Sequence, residues 1–483
     1  MFTRLMLAVL AWLLSSLAFA VCYVDVDAGG ANGGTSWADA YVDLQSAMTN
    51  ADCDEVWIAE GVYKPVVPAD AQNVTPAERA TSFELVRPVR LYGGFSGDET
   101  DVDQRDPAAH VTVLSGDIDD NDTVDSRGVT AHFSDIVGSN TTHVLRAVFG
   151  GVASPAGPDT LIDGLTVTAG TTVNFQPGGG FQCYPPSVVL FAGPVCSFRM
   201  SRVIFQGNRS SDAGGGLAVV VLTSGVANPD LVNVRFIGNR AVSSGGGLFL
   251  RASSGSVLTG SISRATFRGN EAGDEGGGLS LRASGAFAAP EITNTTFFGN
   301  STSGFGGAIA TYVSGETGGT IPETSGAEPY LTNVTVSGNH AESGGGAISI
   351  QNFNSETLAR GGVFNRMIIW GNTATSGPAG FQFRNDPLRM TVTNSVVQGS
   401  CPNNCYEAVS GDPMLGPPQS SPAFGTVLLP GANGAAVDAA SCIFANDQRG
   451  QPRPSGVSCD LGAVELTPQE LQEVFKDRFQ AEG

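Results

Sequence analysis

The chain has 483 residues and a formal net charge of −21, with Lys64 and Lys476 as its only lysines. No basic face can be built to displace counterions from phosphates, which removes nucleic acid from the expected partners. The length allows one long solenoid or roughly two to three globular domains, and the internal repeats decide for the solenoid.

Residues 1–20 read as a signal peptide, with Arg4 in a short n-region, an apolar run from Leu5 to Leu14, and Ala18-Phe19-Ala20 as the cleavage site. The expected location is therefore secreted, extracellular or on the outer cell surface of a bacterium. Cys22 lacks the small preceding residue of a lipid-anchored chain. No later apolar run reaches transmembrane length.

Residues 21–160 are expected to form a cap and the first irregular rungs. A strand at Tyr23-Val24-Asp25-Val26 precedes a helix with Ser36 as N-cap and Tyr41, Leu44, Ala47 and Met48 on one face. A solenoid's open end would otherwise expose its apolar columns, so a helical cap belongs here. Gly34-Thr35-Ser36-Trp37-Ala38-Asp39-Ala40, Val56-Trp57-Ile58-Ala59-Glu60-Gly61-Val62-Tyr63-Lys64-Pro65 and Leu91-Tyr92-Gly93-Gly94-Phe95 resemble the opening of bacterial right-handed β-helix repeat proteins. Next, Asp117, Asp119, Asn121, Thr123 and Asp125 alternate like the oxygen ligands of a calcium loop, but Asp122 replaces the sixth-position glycine and Gly128 the twelfth-position glutamate. A calcium site and a solvated acidic turn both remain open.

Residues 161–400 carry the regular rungs. A phrase of apolar residue, variable residue, Gly-Asn, polar loop, glycines and aliphatic recurs with its asparagine at Asn208, Asn239, Asn270, Asn300, Asn339 and Asn372. A repeat of this length marks units that bury their apolar faces only by stacking. Within each unit the apolar period is 2, as in Leu248 and Leu250 or Leu279 and Leu281, which specifies strands. Stacked strands give parallel sheets, apolar columns led by Phe205, Phe236, Phe267 and Phe297, and asparagine ladders at the turns. The expected fold is all-β, a right-handed parallel β-helix with an N-terminal helical cap. The Phe-x-Gly-Asn-x-Ala and Gly-Gly-Gly-Leu phrasing resembles the repeats of polymorphic outer-membrane proteins and other pectate-lyase-like β-helix proteins.

In residues 401–466, Asp447-Gln448-Arg449-Gly450 and Asp460-Leu461-Gly462-Ala463-Val464-Glu465 resemble the choice-of-anchor Q domain of bacterial surface and secreted β-helix proteins. The resemblance implies surface placement and no reaction. Residues 467–483 form an amphipathic tail, with Thr467 as N-cap and Glu470 closing a capping box. Fewer than twenty residues follow Glu465, so a self-contained membrane pore is not expected. In an exported chain the eight cysteines should pair with sequence neighbours: Cys22 with Cys53, Cys183 with Cys196, Cys401 with Cys405, and Cys442 with Cys459.

No catalytic set emerges. The order and spacing of galacturonan hydrolases are absent, the proline of Arg384-Asn385-Asp386-Pro387 is misplaced for a pectate lyase, and no nucleophile motif accompanies His110, His132, His143 or His340. Asp212, Glu271, Asp274, Glu275 and Glu342 could gather on one edge, either as paired glycosidase carboxylates or as a solubilising rim. Counted outward from the glycines, one strand position holds Tyr184, Val220, Arg251, Arg282, Tyr312, Gln351 and Arg384, with Phe249 exposed earlier on its strand. Rings stack on sugar faces and guanidinium forks hold carboxylates, so this column is the expected surface for an extended, acidic glycan, a polysaccharide or cell-surface glycan. Arg251 and Arg282 on adjacent rungs would repel unless an anion or carboxylate lay between them. A polysaccharide-active enzyme and a structural envelope protein are the alternatives.

Overall fold

One rung shows how the sequence makes the coil. Asp230–Val232 and Arg235–Ile237 are short strands hinged at Asn233, whose φ of 54° lies in the left-handed region. Gly238, at φ 58°, and Asn239 turn the corner into Arg240–Ala241, because glycine alone adopts that conformation without penalty. After three glycines the chain runs through Leu248–Ser253 and Val257–Leu258 before the next turn of the coil begins. A Cβ on Gly247 would sit 2.8 Å from the Gly278 carbonyl and 3.0 Å from the Phe236 side chain, so close stacking beside the phenylalanine column requires glycine there.

The computed structural model describes residues 20–149, 154–185, 195–315, 326–353, 361–384, 390–399 and 405–471. Its rungs stack into a parallel β-helix with sheets of twenty, nine, six and four strands. Register is kept from rung to rung, with Phe205 opposite Phe236, Phe236 opposite Phe267, and Phe267 opposite Phe297. These four rings are fully buried and stack with centroids 5.3, 4.7 and 4.4 Å apart. The asparagine ladder is continuous: each Nδ2 donates to the next Oδ1 from Asn208 to Asn372 at 2.9 to 3.0 Å.

The coil begins earlier than the regular repeats. Val21–Val24, Glu55–Ala59 and Arg90–Phe95 pair in parallel and lead into Leu161–Asp163, separated by long loops that interrupt the sequence period. A capping helix lies at this end, but it is Leu44–Thr49 with Asp43 as its N-cap. Ser36 instead closes a turn with Asp39, and Tyr41 lies before the helix. Leu44, Ala47 and Met48 are buried in the main core, as the apolar face requires.

Cys22–Cys53, Cys183–Cys196 and Cys442–Cys459 are disulfides with Cα separations of 5.4, 5.8 and 5.2 Å. Cys405 is also disulfide-bonded, while Cys401 lies outside the described residues, as do residues 1–19 of the expected signal peptide and residues 472–483 of the tail. The Thr467–Glu470 capping box is formed.

The segment after the last rung does not continue along the solenoid axis. It turns back and runs as a strap along the outside of the twenty-stranded sheet. The hinge residues hold it. Arg366 donates to Ser441 O, Asn333 to Gly462 O, Asn294 to Asn446 O, Arg264 to Gln448 O and Asn233 to Ala423 O. Gln448 is fully buried, donating to Ala265 O and Thr266 Oγ1 and accepting from Thr296 Oγ1. Arg453 and Glu465 form an ion pair of 2.9 Å, both about 1% exposed. The two C-terminal phrases therefore fold onto each other and clasp the strap.

Candidate functional site

The expected column lies on the outer face of the nine-stranded sheet. Val220 stands opposite Arg251, then Arg251 opposite Arg282, Arg282 opposite Tyr312, Tyr312 opposite Gln351, and Gln351 opposite Arg384. Tyr184 follows the strand Phe181–Cys183 at the same level and is exposed. Period-2 alternation and constant register thus bring these side chains to one strip.

Exposure differs from expectation at three positions. Phe249 is only 5% exposed because it packs with Ala213, Ala218 and Val220 in a small cluster outside the sheet. Val220 and Gln351 are buried as well, at 3% and 4% exposure. Ala213 of that cluster comes from a bend rather than a strand, a contact that strand alternation alone does not encode.

A member absent from the sequence reading completes the strip. Phe353, two residues past Gln351, stacks on Tyr312 with centroids 4.6 Å apart, and the Arg384 guanidinium lies 4.0 Å from the Phe353 centroid. Arg282 lies 5.1 Å from the Tyr312 centroid and 5.8 Å from that of Phe249. The Tyr312–Phe353 ring pair is thus flanked by Arg282 on one side and Arg384 on the other. The available signal was the period of 2 itself, which places Phe353 on the same face as Gln351.

The repulsion between Arg251 and Arg282 is answered within the chain. Arg282 donates to Glu275 Oε2 at 3.0 Å and to Ser244 Oγ at 2.7 Å. Burial raises the carboxyls of Glu275 and Asp212, and Arg282 opposes that shift in both; Arg251 also opposes it at Asp212. Arg251 and Arg282 are therefore faced by Asp212, Asp274 and Glu275, which reduces the net charge of that part of the strip. The other two rim carboxylates are engaged separately: Glu271 with Arg240 at 3.4 Å and Glu342 with His340 at 3.2 Å.

At the calcium-like loop the oxygens turn to local donors. Asp117 accepts from Asn121 N, Asp119 from Asn121 Nδ2 and Ser139 N, and Asp125 from Arg127 and Val129 N. Among the described residues, no group of three or more His, Cys, Asp or Glu side chains is placed to hold a metal ion.

The histidines are scattered. His110 meets Glu60 at 3.0 Å, His132 caps the short turn Phe133–Asp135, and His340 meets Thr373 at 2.8 Å. His143 is 5% exposed, its Nδ1 lies 2.7 Å from Gly178 O, and burial pushes its pKa down to about 4. The folded value lies below the ordinary one, so the unfolded chain takes up the proton first as pH falls, and stability is lost through that window. Relative to His143→Gln, the native chain should lose up to about 3 kcal/mol between pH 7.5 and 4 in denaturant titrations. Parallel pH dependences would show that His143 titrates alike in both states.

Two 19-residue stretches, 294–312 and 333–351, match the Chlamydia polymorphic membrane protein repeat. Each runs from a hinge asparagine, Asn294 or Asn333, through a ladder asparagine to a residue of the strip, Tyr312 or Gln351. Taken with the parallel sheets, the match fits a β-helix repeat protein. No curated protein and no solved structure matches the chain.

Proposed function

We propose that the chain is a secreted or cell-surface bacterial β-helix protein that holds an extended glycan along the outer face of its nine-stranded sheet, in the manner of an adhesin and without catalysis. The observation that carries this reading is the in-register strip itself, where Tyr312, Phe353 and Arg384 are locked in one stack and Arg251 and Arg384 reach solvent. The match to a repeat of polymorphic membrane proteins and the signal-peptide-like residues 1–20 support placement at the surface. Because carboxylates lie beside Arg251 and Arg282, the favoured ligand is a neutral or weakly charged polysaccharide, bound through ring stacking and hydrogen bonds, rather than the acidic one expected from composition of the column.

The double variant Tyr312→Ala, Phe353→Ala should lose retention on a glycan affinity matrix by tenfold or more. Its melting temperature should remain within about 3 °C of the native value, since neither ring belongs to the main core. Undiminished retention would remove the strip from ligand binding.

A further inference from the structure

The strap ends before the twenty-stranded sheet does. Beyond its tip at residues 420–426 a cleft of about 680 Å³ opens between the strap and the loop at 105–111, within the range of small-molecule sites. Its floor is made by two adjacent outward columns of the sheet. One runs Thr166, Ile204 and Arg235, and the other Gln206, Ile237 and Arg268.

The cleft's charge runs against the composition of the chain. Arg105, Arg127, Arg202, Arg235 and Arg268 all line it, with Asp106 as the sole lining carboxylate. Three of these arginines have acidic partners outside the lining: Arg105 and Arg202 both reach Asp163 at 2.8 Å, and Arg127 reaches Asp125 at 3.0 Å. Neither Arg235 nor Arg268 has a carboxylate in ion-pair range among the described residues. Arg268 touches Ser420 Oγ at 3.3 Å. Arg235 is only 8% exposed, donates through Nη2 to Pro422 O, and leaves its Nε without any partner.

A buried guanidinium with an unused donor and no counter-charge is costly, and an oxyanion placed beside it would remove that cost. Burial already draws the Arg235 pKa down to about 10, which is the response of a cation lacking its anion. The hinge column adds a second indication. Its side chains hold the strap from Arg366 to Asn233, but the next member, Arg202, faces the cleft instead. The walls also present apolar surface from Pro107, Val111, Val129 and Pro422.

We infer that this cleft is a second binding site, separate from the strip, which takes a small organic anion carrying two oxyanion groups on a compact body the size of one or two sugar rings. Arg235 and Arg268 would bind the oxyanions, while Thr166, Gln206 and Ser420 supply polar contacts and the apolar walls cover the body. Two sources share this chemistry: acidic sugar units released from surrounding polysaccharide, and free dicarboxylates.

Isothermal titration of the full chain with digalacturonate, and separately with succinate, tests the inference. Binding of either should weaken by tenfold or more in Arg268→Gln and in Arg235→Gln, and should remain unchanged in Arg209→Gln, an exposed arginine outside both sites. Preference for digalacturonate would assign the sugar acid as the source, and preference for succinate the free dicarboxylate. Arg268 is exposed and keeps the test decisive should Arg235→Gln fail to fold. Absence of binding by both probes, affinity unchanged in Arg268→Gln, or equal loss in Arg209→Gln would overturn the inference. Loss of glycan retention in the Tyr312 and Phe353 variant would leave this result untouched, so the two sites fail separately.

Discussion

Asn270→Ala is expected to lower stability by about 3 to 6 kcal/mol, because one side chain satisfies several buried groups at once. Its Oδ1 accepts from both N and Nδ2 of Asn239, at 3.1 and 3.0 Å, and its Nδ2 donates to Phe236 O at 2.8 Å and Asn300 Oδ1 at 2.9 Å. All of these asparagines are fully buried. Alanine leaves two donors and a carbonyl without partners, each costing about 1 to 3 kcal/mol in a site water cannot reach. Chemical denaturation should show the midpoint falling, with the rungs on either side losing cooperativity as nearest-neighbour stacking is broken. A loss under about 1 kcal/mol would mean that the ladder is satisfied by other means.

Phe267→Ala should cost about 3 to 5 kcal/mol. The ring is sandwiched between Phe236 and Phe297 at 4.7 and 4.4 Å and has no solvent exposure. Collapse around the cavity is opposed on two sides, since the strands at 266–268 pair in register with 235–237 and with 296–298. Phe267→Leu, which keeps most of the volume, should lose much less. Equal losses for the two variants would show that volume is not what the column supplies.

The ladder and the phenylalanine stack were legible because the chain writes them repeatedly, and each copy of Phe-x-Gly-Asn reports the same inward position. Strip register was legible for the same reason, so Arg251, Arg282, Tyr312 and Arg384 fall where spacing puts them. Burial of Phe249 was not, because it packs against Ala213, Ala218 and Val220 of the neighbouring rung, a contact between outward side chains that strand alternation does not encode. The strap was invisible for a deeper reason. Its contacts join residues far apart in sequence, such as Asn233 with Ala423 across 190 positions, and no local pattern announces them. Asn294, Asn333 and Arg366 each sit at a hinge with positive φ, yet only the folded chain shows that their side chains hold the strap. The carboxylates beside Arg251 and Arg282 were hidden for a similar reason, since Glu275 and Asp212 come from loops rather than from strands.

The N-terminal strands pair in parallel with the regular rungs but are spaced unevenly along the sequence. Long loops, including the one that forms a wall of the arginine-lined cleft, hide the coil's period there, although Val21, Glu55, Arg90 and Leu161 stand in a single register. Two surfaces of different chemistry result: a strip of rings and arginines on the nine-stranded sheet, and an arginine-lined cleft where the strap stops.

The most direct measurement is a glycan-array screen of the chain lacking residues 1–20, paired with assays for new reducing ends and unsaturated uronate in the retained polymer. Retention of a polysaccharide by the native chain, its loss in Tyr312→Ala, Phe353→Ala, and an uncut polymer are the results expected of a binding surface. Failure to retain any glycan, or cleavage of the one retained, would contradict it.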